Sequence, residues 1–339
     1  MATLGPLDEV MKEAIDALPG IDLPVLEVTK RLQEMWQGEG GSASPSEFRA
    51  SQMNVVLHFG WAVSAEEAQQ RFESLIQFAQ RYPCRIIVLC PSRELSGGAM
   101  RAKLFSQCYI GHSYREMCCC EALILAYEPE NCGHLGNQVS IWLESDLPTY
   151  HWFDRVPAKR IGHYFDSLLV GVRRIIYDSS VEQDGDAMER LDWPKGGEVV
   201  DLAEARTLPV RQAIGQYLSG FPVEEICRSL NLIRVQYCAS WTGEGRRLLE
   251  WIKSCLSECE QGKDDAALEA KYELSPCRED SCLLTLEFSY EDGRYFRWKV
   301  LSDQKTARIE SSLGRSKELV TAQVEALAPE QAIAEALFF

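Results

Sequence analysis

Basic residues are scarce beside acidic ones: 35 Lys and Arg stand against 51 Asp and Glu, a formal net charge of −16 over 339 residues. A chain this acidic repels phosphate backbones, so a nucleic-acid partner is not expected. Long apolar runs are missing too. Stretches such as Ile86 to Cys90 are far too short to cross a bilayer, and no membrane partner is expected. The opening MATLGPLDEVMKEAIDALPG lacks the basic start and apolar centre of a signal peptide, which points to the cytoplasm.

Signatures of catalysis are absent as well. There is no P-loop, no GxGxxG after a strand, no GxSxG and no HExxH. The five histidines are His58, His112, His134, His151 and His163, and none forms a recognisable catalytic pair with a cysteine. His58 falls inside a strand pattern, where a packed residue is expected rather than a base. His112, Cys118, Cys119, Cys120, Cys132 and His134 crowd one region. Neighbours on a strand point to opposite faces, so the cysteine triplet does not present three ligands together. These absences predict no enzyme, no cofactor and no metal.

What is present is a globular composition, 46% hydrophobic and 25% charged, on a chain long enough for two domains. Thirteen cysteines is a high and odd number. It excludes a fully paired scaffold, and a cytosolic compartment keeps most thiols reduced, as small core residues. Cys277 and Cys282 flank the polar loop Arg278-Glu279-Asp280-Ser281 between two strand candidates. A hairpin there brings them opposite each other as a candidate redox pair, open to a thioredoxin-type reductant; the alternative is two unconnected thiols.

Residues 1–47 read as a helical segment closed by the Gly- and Ser-rich run QGEGGSASPSE. From 48 to 180 the pattern is α/β. Met53 to Phe59 is β-rich, Ser64 and Glu67 form a capping-box pair, and Ala68, Phe72, Leu75, Ile76 and Ala79 recur at helical spacing. Arg85 to Cys90 is a continuous apolar run, as in a buried parallel strand. Strands follow at Ala102 to Ile110, Cys119 to Tyr127, Pro148 to Phe153 and Arg174 to Tyr177, with helices at Leu135 to Leu143 and Ile161 to Val170. This predicts a doubly wound domain. Residues 181–198 read as a linker. Residues 199–339 read as an α+β domain with a largely antiparallel sheet, including a hairpin at Asp292-Gly293.

Three places invite a functional reading. Tyr150, His151, Trp152, Phe153 and Arg155 are candidate partner contacts, with core packing the competing reading. A sugar phosphate or nucleotide would sit in the α/β crevice near Ser92, Arg93, Ser96, Gly97 and Gly98, making the chain a sensor or enzyme. Thr242-Gly243-Glu244-Gly245 opens a helix, but Glu244 opposes an anion there, so a cap and turn are expected.

The βαβ block is similar to the OpcA family, the assembly or effector proteins of glucose-6-phosphate dehydrogenase. Arg49, Ala50, Asn54, Pro83 and Arg85 fit its first landmarks. Cys119 and Glu121 resemble the third, and Leu147-Pro148 leading to His151-Trp152 resembles the fourth, with His151 or Phe153 filling one position of a Trp pair. Asp201-Leu202 and Ala205-Arg206 resemble a later segment. The resemblance runs from about residue 25 to the end. It implies a non-catalytic activator that docks on glucose-6-phosphate dehydrogenase and supports the oxidative pentose phosphate pathway. It supplies no catalytic residues to carry over.

Overall fold

The computed structural model describes residues 13–36, 51–110, 117–182, 185–260, 270–277, 282–301, 305–314 and 316–339. They fold as two units. One runs to Tyr177 and takes in Asp186–Val199; the other comprises Asp178–Gly185 and Val200–Phe339.

In the first unit the elements are α1 (Ala14–Ala17), β1 (Ile21–Leu23), α2 (Val25–Trp36), β2 (Met53–Phe59), α3 (Ala65–Arg81), β3 (Cys84–Pro91), β4 (Met100–Ile110), β5 (Met117–Tyr127), α4 (Leu135–Trp142), β6 (Thr149–Asp154), α5 (Ala158–Ile161), β7 (Val172–Tyr177) and α6 (Gly185–Glu189). With β8 (Glu198–Asp201), inside which the chain passes to the second unit, they give an eight-stranded sheet in the order β1-β4-β5-β3-β2-β6-β7-β8. Strands β5, β3, β2, β6 and β7 are parallel, and β4 and β1 return antiparallel at one edge. The runs MNVVLHF and CRIIVLC are buried along their whole length, because helices cover both faces of a parallel sheet. The α3 helix begins at the expected capping box. Ser64 Oγ accepts from Glu67 N at 3.2 Å, and Glu67 Oε2 accepts from Ser64 N at 3.0 Å.

Three expectations need correction. The described part of the N-terminal segment is integral to this unit: β1 pairs with β4, Val28 and Leu32 enter the core, and buried Lys103 donates to the carbonyls of Ile15 and Leu18. The stretch expected as a linker contains α6, buried Met188, and Trp193 stacked at 6.5 Å on Tyr177. The helix expected from Ile161 to Val170 is only α5 and a 3-10 turn at Gly162–Tyr164. Gly171, at φ +74°, then turns the chain into β7, a conformation open to glycine.

The second unit holds α7 (Leu202–Arg206), α8 (Leu208–Leu218), α9 (Val223–Cys227), β9 (Leu230–Tyr237), α10 (Thr242–Glu260), β10 (Lys271–Pro276), β11 (Cys282–Tyr290), β12 (Tyr295–Leu301), β13 (Thr306–Ser311), β14 (Glu318–Gln323) and α11 (Pro329–Phe338). Its six-stranded sheet runs β10-β9-β11-β12-β13-β14, antiparallel except for β10 beside β9. Alternation along β11 and β12 sends Leu284, Leu286, Phe288, Phe296, Trp298 and Val300 to one core with Leu248 and Ile252 of α10. Arg234, Glu287, Arg297 and Arg308 alternate with those core positions along their strands. The chain is thus a doubly wound α/β unit followed by an α+β unit with a largely antiparallel sheet.

Candidate functional site

In a doubly wound sheet ligands enter where successive strands diverge to opposite sides, outside the carboxyl ends. Here β2 leads to β3 on one side, and β6 lies on the other. The switch point is therefore at Gly60 and Arg155, just past β2 and β6. The chain fills it with itself. Gly60 N donates to Asp154 O at 2.8 Å, and a Cβ on Gly60 would stand 1.8 Å from Arg155 O. Arg155, at φ +57°, aims its guanidinium at Glu67 in a two-pronged pair, both contacts 2.6 Å. Arg71 Nε meets buried Asp154 at 2.9 Å. Hydrogen bonding from Arg155 pulls the Glu67 carboxyl down to about 2. That carboxylate sits at the α3 N-terminus, the place that takes a dinucleotide phosphate in such folds.

The loop after β3 behaves alike. Arg93 N donates to Glu13 Oε1 at 2.7 Å, and Gly98 N to Glu128 Oε2 at 2.9 Å. The Arg93 guanidinium lies over the Trp61 ring at 5.1 Å. Of the five residues expected to stand near a sugar phosphate or nucleotide, Ser92, Arg93, Ser96, Gly97 and Gly98, two already give their backbone N–H groups to carboxylates, Arg93 and Gly98. In the second unit Glu244, at the start of α10, accepts from Arg206 Nε at 2.5 Å and Ser180 Oγ at 2.7 Å. Burial raises its pKa. Arg206 also grips Asp178 at 2.9 and 2.7 Å.

The contact candidates sit elsewhere than expected. Tyr150, His151, Trp152 and Phe153 are 3, 0, 3 and 0% exposed. They lie on β6, flanked by β2 and β7 and covered on both faces, so the core reading holds for them and they offer no docking surface. Arg155 is committed to Glu67. The Cys277–Cys282 expectation also changes. Strand β9 lies between β10 and β11, so the two strands do not form a hairpin. Their axes stand two strand spacings apart, ~9.5 Å. Cys277 is a free thiol, and the Cys282 side chain and residues 278–281 lie outside the described residues. The disulfide in the structure joins Cys108 and Cys119, register partners on β4 and β5, with Cα atoms 4.0 Å apart. Parity and compartment gave no sign of that pair, since a register between two strands is not legible in cysteine number. Of the region weighed for a metal, Cys119 is consumed by this bond and His112 lies outside the described residues.

A buried polar chain escaped sequence reasoning. His151 Nε2 lies 3.3 Å from His58 Nδ1, His58 Nε2 lies 2.7 Å from the Tyr127 hydroxyl, and that hydroxyl lies 3.1 Å from Tyr164's. Both imidazoles are fully buried, and burial drives the His58 pKa down to about 3 and that of His151 well below its usual value. Both are neutral at pH 7. Its one sequence sign is polar residues inside apolar strand runs.

Residues carrying the family resemblance occupy the other end of the strands. Asn54 Nδ2 donates to Glu144 O, Leu147 O and Thr149 Oγ1, and its Oδ1 accepts from Glu144 N. Buried Arg85 joins Glu121 at 2.5 Å, Trp142 O at 2.8 Å and Glu144 at 2.6 Å. Asp201 caps α7 through Ala203 N and pairs with Arg247 at 2.6 Å. These landmarks are scaffold. Arg49 and Ala50 lie outside the described residues.

Residues 76–192 match the family model described as the glucose-6-phosphate dehydrogenase subunit N-terminal domain. This segment is similar to the OpcA family. A Synechocystis protein named OpcA after the OxPP cycle is 27% identical over 179 residues, 51% of this chain and 37% of its own length. The chain thus matches little more than a third of that relative. A crystal structure of an oxidoreductase from Sinorhizobium meliloti aligns over 84% of this chain and 86% of its own, at 9% identity and a TM-score of 0.39. That likeness is too slight to carry an argument. Among the described residues no helix is long and apolar enough to cross a membrane.

Proposed function

We propose that the chain is a non-catalytic partner of glucose-6-phosphate dehydrogenase. It docks on the enzyme, favours its assembled and active form, and so supports the oxidative pentose phosphate pathway. The observation that supports this reading most is the filled switch point. The position of a dinucleotide phosphate is held by Glu67 and Arg155, and the turns at Gly60 and Arg155 touch. The matching family model adds the partner, since its description names a subunit of that dehydrogenase. An activator of this kind works by binding the active state more tightly than the inactive one, and it needs no chemistry of its own.

The test of the non-catalytic half is direct. The purified chain, supplied with glucose 6-phosphate and NADP, reduces no NADP above the enzyme-free rate. Turnover that co-purifies with the chain and persists through a second column overturns the reading.

A further inference from the structure

At a third place a single internal carboxylate, Glu130, stands among three basic side chains. Past the ends of β5 and β6, Pro129, Glu130, Cys132, Lys159, Arg160, His163 and Tyr164 line a cavity of about 370 Å³. Arg160 is held by Glu130 at 2.5 Å, through one terminal nitrogen. Lys159 and His163 are exposed and have no hydrogen-bond or ion-pair partner among the described residues. The cavity is thus basic in a strongly acidic chain.

Its inner wall is also a donor. The polar chain behind Tyr164 has two possible directions. In one, buried His151 Nδ1 carries a hydrogen; that atom has no partner. A buried N–H without an acceptor is the rarer and costlier state, so the hydrogen belongs on Nε2. The rest follows, because each neutral ring has one N–H. His151 Nε2–H donates to His58 Nδ1, His58 Nε2–H donates to Tyr127, and Tyr127 O–H donates to Tyr164. Tyr164's own hydrogen is left over, on a residue that lines the cavity.

We propose that this cavity binds the phosphate group of a small organic monoester. Lys159, the remaining N–H groups of Arg160, His163 and the Tyr164 hydroxyl supply donors for a tetrahedral dianion. Phosphate alone would leave most of 370 Å³ empty, so the volume asks for an organic portion, which Pro129 and Cys132 border. The inference rests on the first unit alone and does not depend on the dehydrogenase.

The experiment is calorimetric titration of the full chain with a hexose 6-phosphate and, separately, with inorganic phosphate. The ester is expected to saturate one site and to bind more tightly than the inorganic ion. Lys159→Ala changes an exposed side chain, and Tyr164→Phe keeps the ring. Each is expected to weaken ester binding about tenfold, the loss of one hydrogen bond to a charged group. Unchanged circular dichroism serves as the fold control for both variants, and an unchanged melting temperature for Lys159→Ala; Tyr164→Phe leaves the Tyr127 hydroxyl without its acceptor and is expected to melt somewhat lower. Failure of the ester to saturate, equal affinity for inorganic phosphate, or equal binding by wild type and both variants overturns the proposal.

Discussion

Single atoms decide much at the switch point. Gly60 is there because any side chain would enter the Arg155 carbonyl, 1.8 Å from where a Cβ would stand. Gly60→Ala is expected to destabilise by on the order of 3 kcal/mol, the upper range for overpacking, because backbone and not a flexible side chain must move. Urea unfolding measures it, and a change under about 0.5 kcal/mol would contradict the contact. Acid sensitivity belongs to this scale as well. His58 titrates at about 3 in the fold and near 6.5 when unfolded. Its folded pKa is the depressed one, so between these values the unfolded chain binds more protons. The stability it contributes is whole above about pH 6.5 and is lost as pH falls toward 3. At pH 4.5 the loss is on the order of 3 kcal/mol. In His58→Phe the fall between pH 6.5 and 4.5 should flatten; parallel curves for variant and wild type would show that His58 is not the group responsible. None of this stood out in the sequence. Strand periodicity places His58 and His151 inside strands, but a ring-to-ring contact depends on the pairing of β2 with β6.

At the level of elements the sequence was far more legible. Continuous burial along Met53–Phe59 and residues 84–90 follows from their largely apolar runs, and the Ser64–Glu67 cap marks the start of α3 in plain letters. What local patterns cannot carry is order across a sheet. Nothing near Cys277 or Cys282 announces that β9 is inserted between their strands. Likewise the aromatics of Thr149–Asp154 suit an exposed patch or a central strand equally, and position in the sheet chooses between them. Arg85 shows the cost of such placement. It lies 6% exposed on β3 with Glu121 opposite on β5. Arg85→Ala strands a buried carboxylate and should cost about 3–5 kcal/mol. Replacing both Arg85 and Glu121 with apolar residues should cost less than the single change, and chemical denaturation of the two variants tests that order. If the double variant is the less stable, the pair contributes more than the penalty of burying it.

For the whole molecule, the anion-accepting positions of a doubly wound fold are present, and at the switch point and the loop after β3 internal glutamates occupy them. A fold that commits those donors to its own carboxylates keeps its architecture and leaves fewer of them for a dinucleotide phosphate. The net charge of −16 fits a chain whose acids are partly structural. On the function proposed above, such a protein acts through contact. The most direct measurement adds the purified chain, at saturating concentration, to glucose-6-phosphate dehydrogenase from the same cell, and follows initial rates and light scattering together. The account predicts a lower apparent KM for glucose 6-phosphate or a shift to a larger assembly. Unchanged kinetics together with unchanged scattering would contradict it.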